Sequence, residues 1–182
     1  MTERTYHNRV KLFILVIILF SFGVDQSFAA QKSSKAHVHK VHDGDTVTLR
    51  LNGKKYRTRL IGIDAPEMGQ KPWGGRAREH LIKIMRQTSW TVFVETDVER
   101  KDKYGRLLAY LWTKKQTLIN EKMVSDGYAV LLTIAPTVKY GQTLTRAEPR
   151  AQTARKGIWG VNGLQESPGE YTRAHPRKDR GY

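Results

Sequence analysis

The stretch TVTLRLNGKKYRTRLIGIDAPE, residues 46–67, decides the fold of this chain. Thr46, Thr48 and Arg50 alternate with Val47, Leu49 and Leu51, a period of two that marks a strand with one buried face. Asn52-Gly53 follows, the pair that accepts the positive φ angles of a type I′ hairpin, and a second strand then runs from Tyr56 to Ile63. Pro66 fixes φ and has no N–H for a ladder, so the strand stops and leaves Asp64 and Glu67 at its tip. Upstream, Val38, Lys40 and Val41 read as an earlier strand that meets Thr46 across the Asp43-Gly44 turn. A meander of three antiparallel strands results.

Beyond Glu67, residues 68–75 are rich in Gly and Pro and read as loop. Ala77, Leu81, Ile84 and Met85 then recur at helical spacing, which predicts a helix over 76–87. Two more strands fit residues 90–96 and 107–112, on either side of a charged loop. A short helix over 119–126 has Thr117 as its N-cap and Gly127 as its stop. A last helix covers 148–156, with Pro149 confined to its first turn. Five short strands with a helix between the third and fourth make a β-rich α+β fold, a five-stranded OB-type barrel with about three helices. The domain should span 37–162, after a flexible N-terminal arm at 30–36. Residues 163–182 are basic and poor in apolar groups, and are expected to be disordered.

Composition narrows the partners. The 182 residues carry a formal charge of +15, which favours nucleic acid or another anionic surface. There is no cysteine, which excludes disulfides, thiolate ligands and a thiol nucleophile. Arg4, Arg9 and Lys11 precede an almost unbroken apolar run from Leu12 to Val24, and Ser27-Phe28-Ala29 supplies small residues for cleavage after Ala29. Residues 1–29 therefore read as a signal peptide, so the mature protein would be secreted or periplasmic. The rival is an uncleaved membrane anchor, although the run is shorter than the roughly 20 residues that span a bilayer.

Asp45, near the start of one strand, can approach Asp64, at the end of the next, and present two hard anionic oxygens to one cation. With no His or Cys pair at ligand spacing, Ca²⁺ or Mg²⁺ suits such a site better than zinc. His37, His39 and His42 read as a solvated strand face. Arg59 and Arg106 offer planar forks that match phosphate oxygens. Glu67 is either a base or water-orienting group beside the cation, or a salt-bridge partner of Arg59; the neighbouring acids favour the first. Carboxylates for a cation bracketing arginines for phosphate point to phosphodiester chemistry.

Asp43-Gly44-Asp45-Thr46-Val47, Arg59-Leu60, Asp64-Ala65-Pro66-Glu67, Asp102-Lys103-Tyr104-Gly105-Arg106 and Ala109-Tyr110 resemble, in order and spacing, the staphylococcal nuclease (thermonuclease) family. That resemblance implies that Asp45, Asp64 and the carbonyl of Ala65 hold Ca²⁺, that Arg59 and Arg106 grip the scissile phosphate, and that Glu67 activates water. It also implies that Lys103 and Tyr104 contact flanking phosphates, and that DNA and RNA, preferably single-stranded, are cut with little sequence preference to leave 3′-phosphate ends. A monomer is expected. Thr133 and Ala135 stand where the family carries tyrosines that line the nucleotide pocket. The rival functions are a noncatalytic OB module that binds nucleic acid, and a membrane-anchored nuclease in DNA uptake.

Overall fold

A computed structural model describes residues 33–132, 135 and 139–176. The expected leader at 1–29 and the Thr133 position lie outside the described residues.

Five strands close a barrel in the order β1 (Ser34–Val41), β2 (Thr46–Leu51), β3 (Lys54–Leu60), β6 (Leu107–Trp112), β5 (Thr91–Glu95), with β5 returning to β1. The Asn52-Gly53 turn has both φ angles positive, +50° and +79°, as the type I′ reading requires, and it sets the pairing from Leu51 opposite Lys54 to Thr46 opposite Arg59. All pairs are antiparallel except β3 with β6, whose parallel register sets Arg59 beside Leu108. Such a pair needs a long crossover, and helix α1 (Trp73–Gln87) together with β5 supplies it.

Val38, Val47, Leu49, Leu60 and Leu111 fill the barrel, while Leu81 and Met85 of α1 close one end. The buried Asn120 on α2 (Ile119–Ser125) accepts a hydrogen bond from the Leu111 N–H and donates to the Ile61 carbonyl at 2.8 Å, so α2 is tied to β6 and to the turn that follows β3. A buried side-chain amide left unpaired would cost roughly 1–3 kcal/mol, and here it serves as a peg.

Several expectations are corrected. The strand read as Tyr56 to Ile63 breaks after Leu60: Gly62 takes a φ of +80°, and Ile63–Asp64 becomes a separate β4 paired with β7 (Val130–Leu131). The arm expected at 30–36 is already strand from Ser34, because Ala36 and Val38 continue the buried alternation. Helix α1 begins three residues early, at Trp73, because that indole is buried and donates to the Asn162 carbonyl at 3.2 Å. Thr117 does not cap α2. Its N–H and carbonyl are spent on Thr113, and Leu118 stands at the cap without a side-chain bond.

Helix α3 runs Gly141–Thr153 rather than 148–156, so Pro149 lies in its interior and not in its first turn. Leu144, Ala147 and Ala151 form one buried stripe along it, and that burial outweighs the hydrogen bond Pro149 cannot make. The tail expected to be disordered contains helix α4 (Pro168–Ala174). Ser167 and Glu170 form a reciprocal capping box, with Pro168 at the first helical position. The described residues thus hold four α-helices and a 3₁₀ turn at Gly157–Trp159.

Candidate active site

Asp45 leads into β2, Arg59 is near the end of β3 and Asp64 is on β4, and the meander brings the three together. Arg59 Nη1 donates to Asp45 Oδ1, while Arg59 Nη2 donates to Asp64 Oδ1 at 2.7 Å and to the Ile63 carbonyl at 3.2 Å. One guanidinium thus clamps both aspartates. The Asp45 side chain is only 2% exposed, against 17% for Arg59 and 18% for Asp64. Asp45 Oδ2 also accepts the Ala65 N–H at 2.8 Å, and Oδ1 accepts the Thr46 hydroxyl at 3.0 Å.

The electrostatics follow from that burial. Loss of water drives the Asp45 carboxyl up to about 7, with Arg59 and the Ala65 N–H pulling against it and the nearby Asp43 and Asp64 pushing with it. Burial acts to strip the Arg59 proton, but Asp45 and Asp64 outweigh it and hold the guanidinium charged well above its ordinary range. Two carboxylates on one guanidinium leave a surplus of negative charge in a partly dry site.

That surplus, carried by hard oxygens, fits a divalent cation such as Ca²⁺ or Mg²⁺. Among the described residues no group of three or more His, Cys, Asp or Glu side chains is placed to hold a metal ion. Two carboxylates are what the protein would supply, with a backbone carbonyl, water and substrate phosphate completing the shell.

Arg106 is set by the turn before β6. The Asp102 carboxylate accepts the backbone N–H groups of Tyr104 and Arg106, each at 3.0 Å, and the Arg106 Nε–H at 2.6 Å. Gly105, at φ +74°, lets the chain close that turn with its N–H on the Asp102 carbonyl at 2.9 Å. Lys103 Nζ and the Arg106 guanidinium flank the exposed Tyr104 ring, 5.1 and 5.5 Å from its centroid. Arg59, Lys103, Tyr104 and Arg106 share the wall of a cavity of about 810 Å³. Pairing of β3 with β6 is what puts the two arginines there together.

Glu67 does not line that cavity. It lines a second one, of about 460 Å³, with Asp43 and the C-terminal helix α4, and its carboxylate accepts the Thr172 hydroxyl at 3.4 Å. Its backbone is tightly held: the Glu67 N–H donates to the Gln70 side chain at 2.9 Å and the Gln70 N–H returns to the Glu67 carbonyl at 2.8 Å. Gly74 lies so close to this turn that a Cβ there would fall 2.1 Å from the Glu67 carbonyl oxygen. Asp43 links this second cavity to the cluster, because its carboxylate accepts the Asp45 N–H at 3.1 Å.

The fold therefore brings Asp45, Arg59, Asp64 and Ala65 into one cluster, sets Lys103, Tyr104 and Arg106 in a cavity that Arg59 of that cluster also lines, and puts Glu67 in a second cavity. Sequence reasoning missed Asp102 as the group that aims Arg106, Thr46 as a second donor to Asp45, and the whole of α4. The Ser-x-x-Glu pattern at 167–170 was the available signal for α4. Ala135 is an exposed turn residue, outside both cavities.

The family described as Staphylococcal nuclease homologue matches residues 57–161. Thermonuclease of Staphylococcus hyicus is 35% identical over 127 residues, covering 67% of this chain and 73% of the relative. Thermonuclease of Staphylococcus intermedius is 36% identical over 127 residues, covering 67% and 74%. Endonuclease YncB of Bacillus subtilis (strain 168) is 29% identical over 154 residues, covering 81% and 72%. The chain belongs to the staphylococcal nuclease family.

Proposed function

We propose that this nuclease hydrolyses phosphodiester bonds of DNA and RNA with the help of Ca²⁺, prefers single strands, and leaves 3′-phosphate ends. The observation that carries the reading is the convergence of Asp45 and Asp64, distant in sequence, on one guanidinium beside a cavity lined by cationic and aromatic side chains. Asp45, Asp64 and the Ala65 carbonyl would hold Ca²⁺, which when bound neutralises charge on the phosphate and on the attacking oxygen.

The protein's own groups do the rest. Arg106 has its Nε committed to Asp102, which leaves its terminal nitrogens to face a non-bridging phosphate oxygen. Arg59 has three of its five donors engaged and meets the phosphate from the acidic side of the cavity. Charge that grows on phosphorus oxygens in the transition state is met by these forks without proton transfer, and losing one such stabiliser costs about 2.7–4 kcal/mol, a hundred to a thousandfold in rate. Glu67 accepts a proton from, or orients, the attacking water. Phosphate contacts carry no base information, which accounts for weak sequence preference. A monomer is part of the proposal. Export is part of the proposal and rests on the leader-like residues 1–29.

The test is digestion of single-stranded DNA with Ca²⁺, with Mg²⁺ and with chelator, by the intact protein and by Glu67→Gln and Arg106→Ala. Cleavage that needs Ca²⁺ and falls at least a hundredfold in both variants is expected. Activity indifferent to chelator, or both variants cutting at full rate, contradicts the mechanism; binding without cleavage would make the chain a noncatalytic module.

A further inference from the structure

The cavity behind Glu67 has a wall that the family motifs do not include. Helix α4 supplies it, and the helix is anchored by three side chains from the segment between β4 and α1 and from α1 itself. The Gln70 amide donates to the Glu166 carbonyl at 2.9 Å, the Trp73 indole donates to the Asn162 carbonyl, and the Thr172 hydroxyl meets Glu67. Pro168 is buried, and the Tyr171 hydroxyl lies against Gly69. On the cavity side the Tyr171 and His175 rings stack, with centroids 4.1 Å apart and planes 20° apart. His42 and Arg57, from the β1–β2–β3 meander, share the lining of that cavity.

A stacked pair of rings and a guanidinium in one cavity is the chemistry that takes a nucleobase and its phosphate. The position is as telling as the composition. Arg59 of the aspartate cluster lines the Tyr104 cavity, Asp43 lines the Tyr171 cavity, and Asp45 is hydrogen-bonded to both; α4 itself adjoins the cluster, since a Cβ on Gly169 would lie 3.9 Å from Asp64 Oδ2. A polynucleotide whose scissile phosphate sits at that cluster has one nucleotide to place in each direction.

We propose that the Tyr171 cavity is the subsite for the nucleotide on the far side of the scissile phosphate from Tyr104, with the Tyr171–His175 pair as its stacking platform and Arg57 facing its phosphate. This rests on the nuclease reading above and adds to it a specificity element carried by the C-terminal helix. Stacking is tolerant of base identity, so the subsite raises affinity without imposing sequence.

The test is a cycle of protein and substrate changes. Three substrates are compared in Ca²⁺: a thymidine dinucleotide carrying both terminal phosphates, and its two analogues that each lack one base. Wild type, Tyr171→Ala and Tyr171→Phe are assayed for kcat and KM as full chains, after thermal melts show that each is folded. Tyr171→Ala is expected to lose about tenfold in kcat/KM on the parent, mostly through KM, and Tyr171→Phe to stay within about threefold of wild type. The same tenfold loss should appear on one base-deleted analogue and vanish on the other, because there the stacking partner is already gone. Equal losses of Tyr171→Ala on all three substrates, or no loss on any, overturn the subsite. Faster cleavage by Tyr171→Ala also overturns it and makes α4 a cover over the site. Wild type cutting none of the three would instead defeat the nuclease reading on which the subsite depends.

Discussion

Replacing Arg59 with Met should make the stability of this protein depend on calcium. In the wild type one guanidinium is paired with two carboxylates, and one of them, Asp45, is almost wholly shut off from water. Removing one partner of a buried ionic cluster leaves uncompensated charge and costs about 3–5 kcal/mol. The lower end applies, since Asp45 keeps the Ala65 N–H and the Thr46 hydroxyl and Asp64 keeps some solvent. About 3 kcal/mol in a domain of this size lowers the melting temperature by about 10 °C. A cation that binds only the folded state restores stability as RT ln(1 + [L]/Kd), about 2.7 kcal/mol at a hundred times its Kd, so calcium should recover most of the loss. In the wild type the same calcium should add less, because Arg59 and the ion share the same oxygens. Circular dichroism melts of both proteins, in chelator and in a calcium series, make the comparison. A variant that melts within about 2 °C of wild type in chelator, or that ignores calcium, refutes the reasoning.

Gly74→Ala should slow the enzyme more than it unfolds it. The new Cβ falls against the Glu67 carbonyl, and moving that turn by even 1 Å is expected to cost about a hundredfold in kcat, read in steady-state cleavage beside a melt; unchanged kcat would show that the turn does not position Glu67. Asp126 links α1 to α2 through His80 and Lys122, each at 2.8 Å. Burial acts to raise its carboxyl, but those hydrogen bonds outweigh burial and hold it at about 2, below its ordinary 3.8. With the folded value below the unfolded one, its contribution is complete above about pH 4 and is lost as pH falls toward 2. After discounting for the solvent on its open side, that contribution is about 1 kcal/mol, and urea titrations should find it missing across that window in Asp126→Asn; identical pH slopes for the two proteins would refute it. Binding of single-stranded DNA by Glu67→Gln should weaken with salt at about 0.7 of a log unit per phosphate contacted, close to two units of slope for three phosphates, and anisotropy showing no slope would remove the electrostatic grip.

The sequence was most readable where local rules and tertiary packing agree. The Asn52-Gly53 turn and the β2–β3 alternation appear in the structure as read, and so does β6, because turn chemistry and a period of two leave few alternatives. Pro149 misled because propensity is local, whereas the burial of Leu144, Ala147 and Ala151 along α3 is not. The break at Gly62 depends on β7, a partner far along the chain, which no window around Gly62 contains. Candidate residues could be named from motif spacing, and Asp45 and Asp64 do converge. That Arg59 bridges them, however, follows from the register of β2 on β3, which sets Thr46 opposite Arg59. The tail was misread from composition: few apolar residues suggested disorder, while one capping box and a handful of directed hydrogen bonds are enough to dock seven residues.

The claim on which the account turns is that Asp45 and Asp64 act together as one cation site next to the phosphate-binding arginines. Isothermal calorimetry of calcium into the full chain, with and without a thymidine 3′,5′-bisphosphate, and into Asp45→Asn and Asp64→Asn, addresses it directly. One calcium per chain is predicted, bound at least tenfold more tightly with the nucleotide present and lost in either variant. Calcium uptake that survives both substitutions, or none in the wild type even with the nucleotide bound, would contradict it.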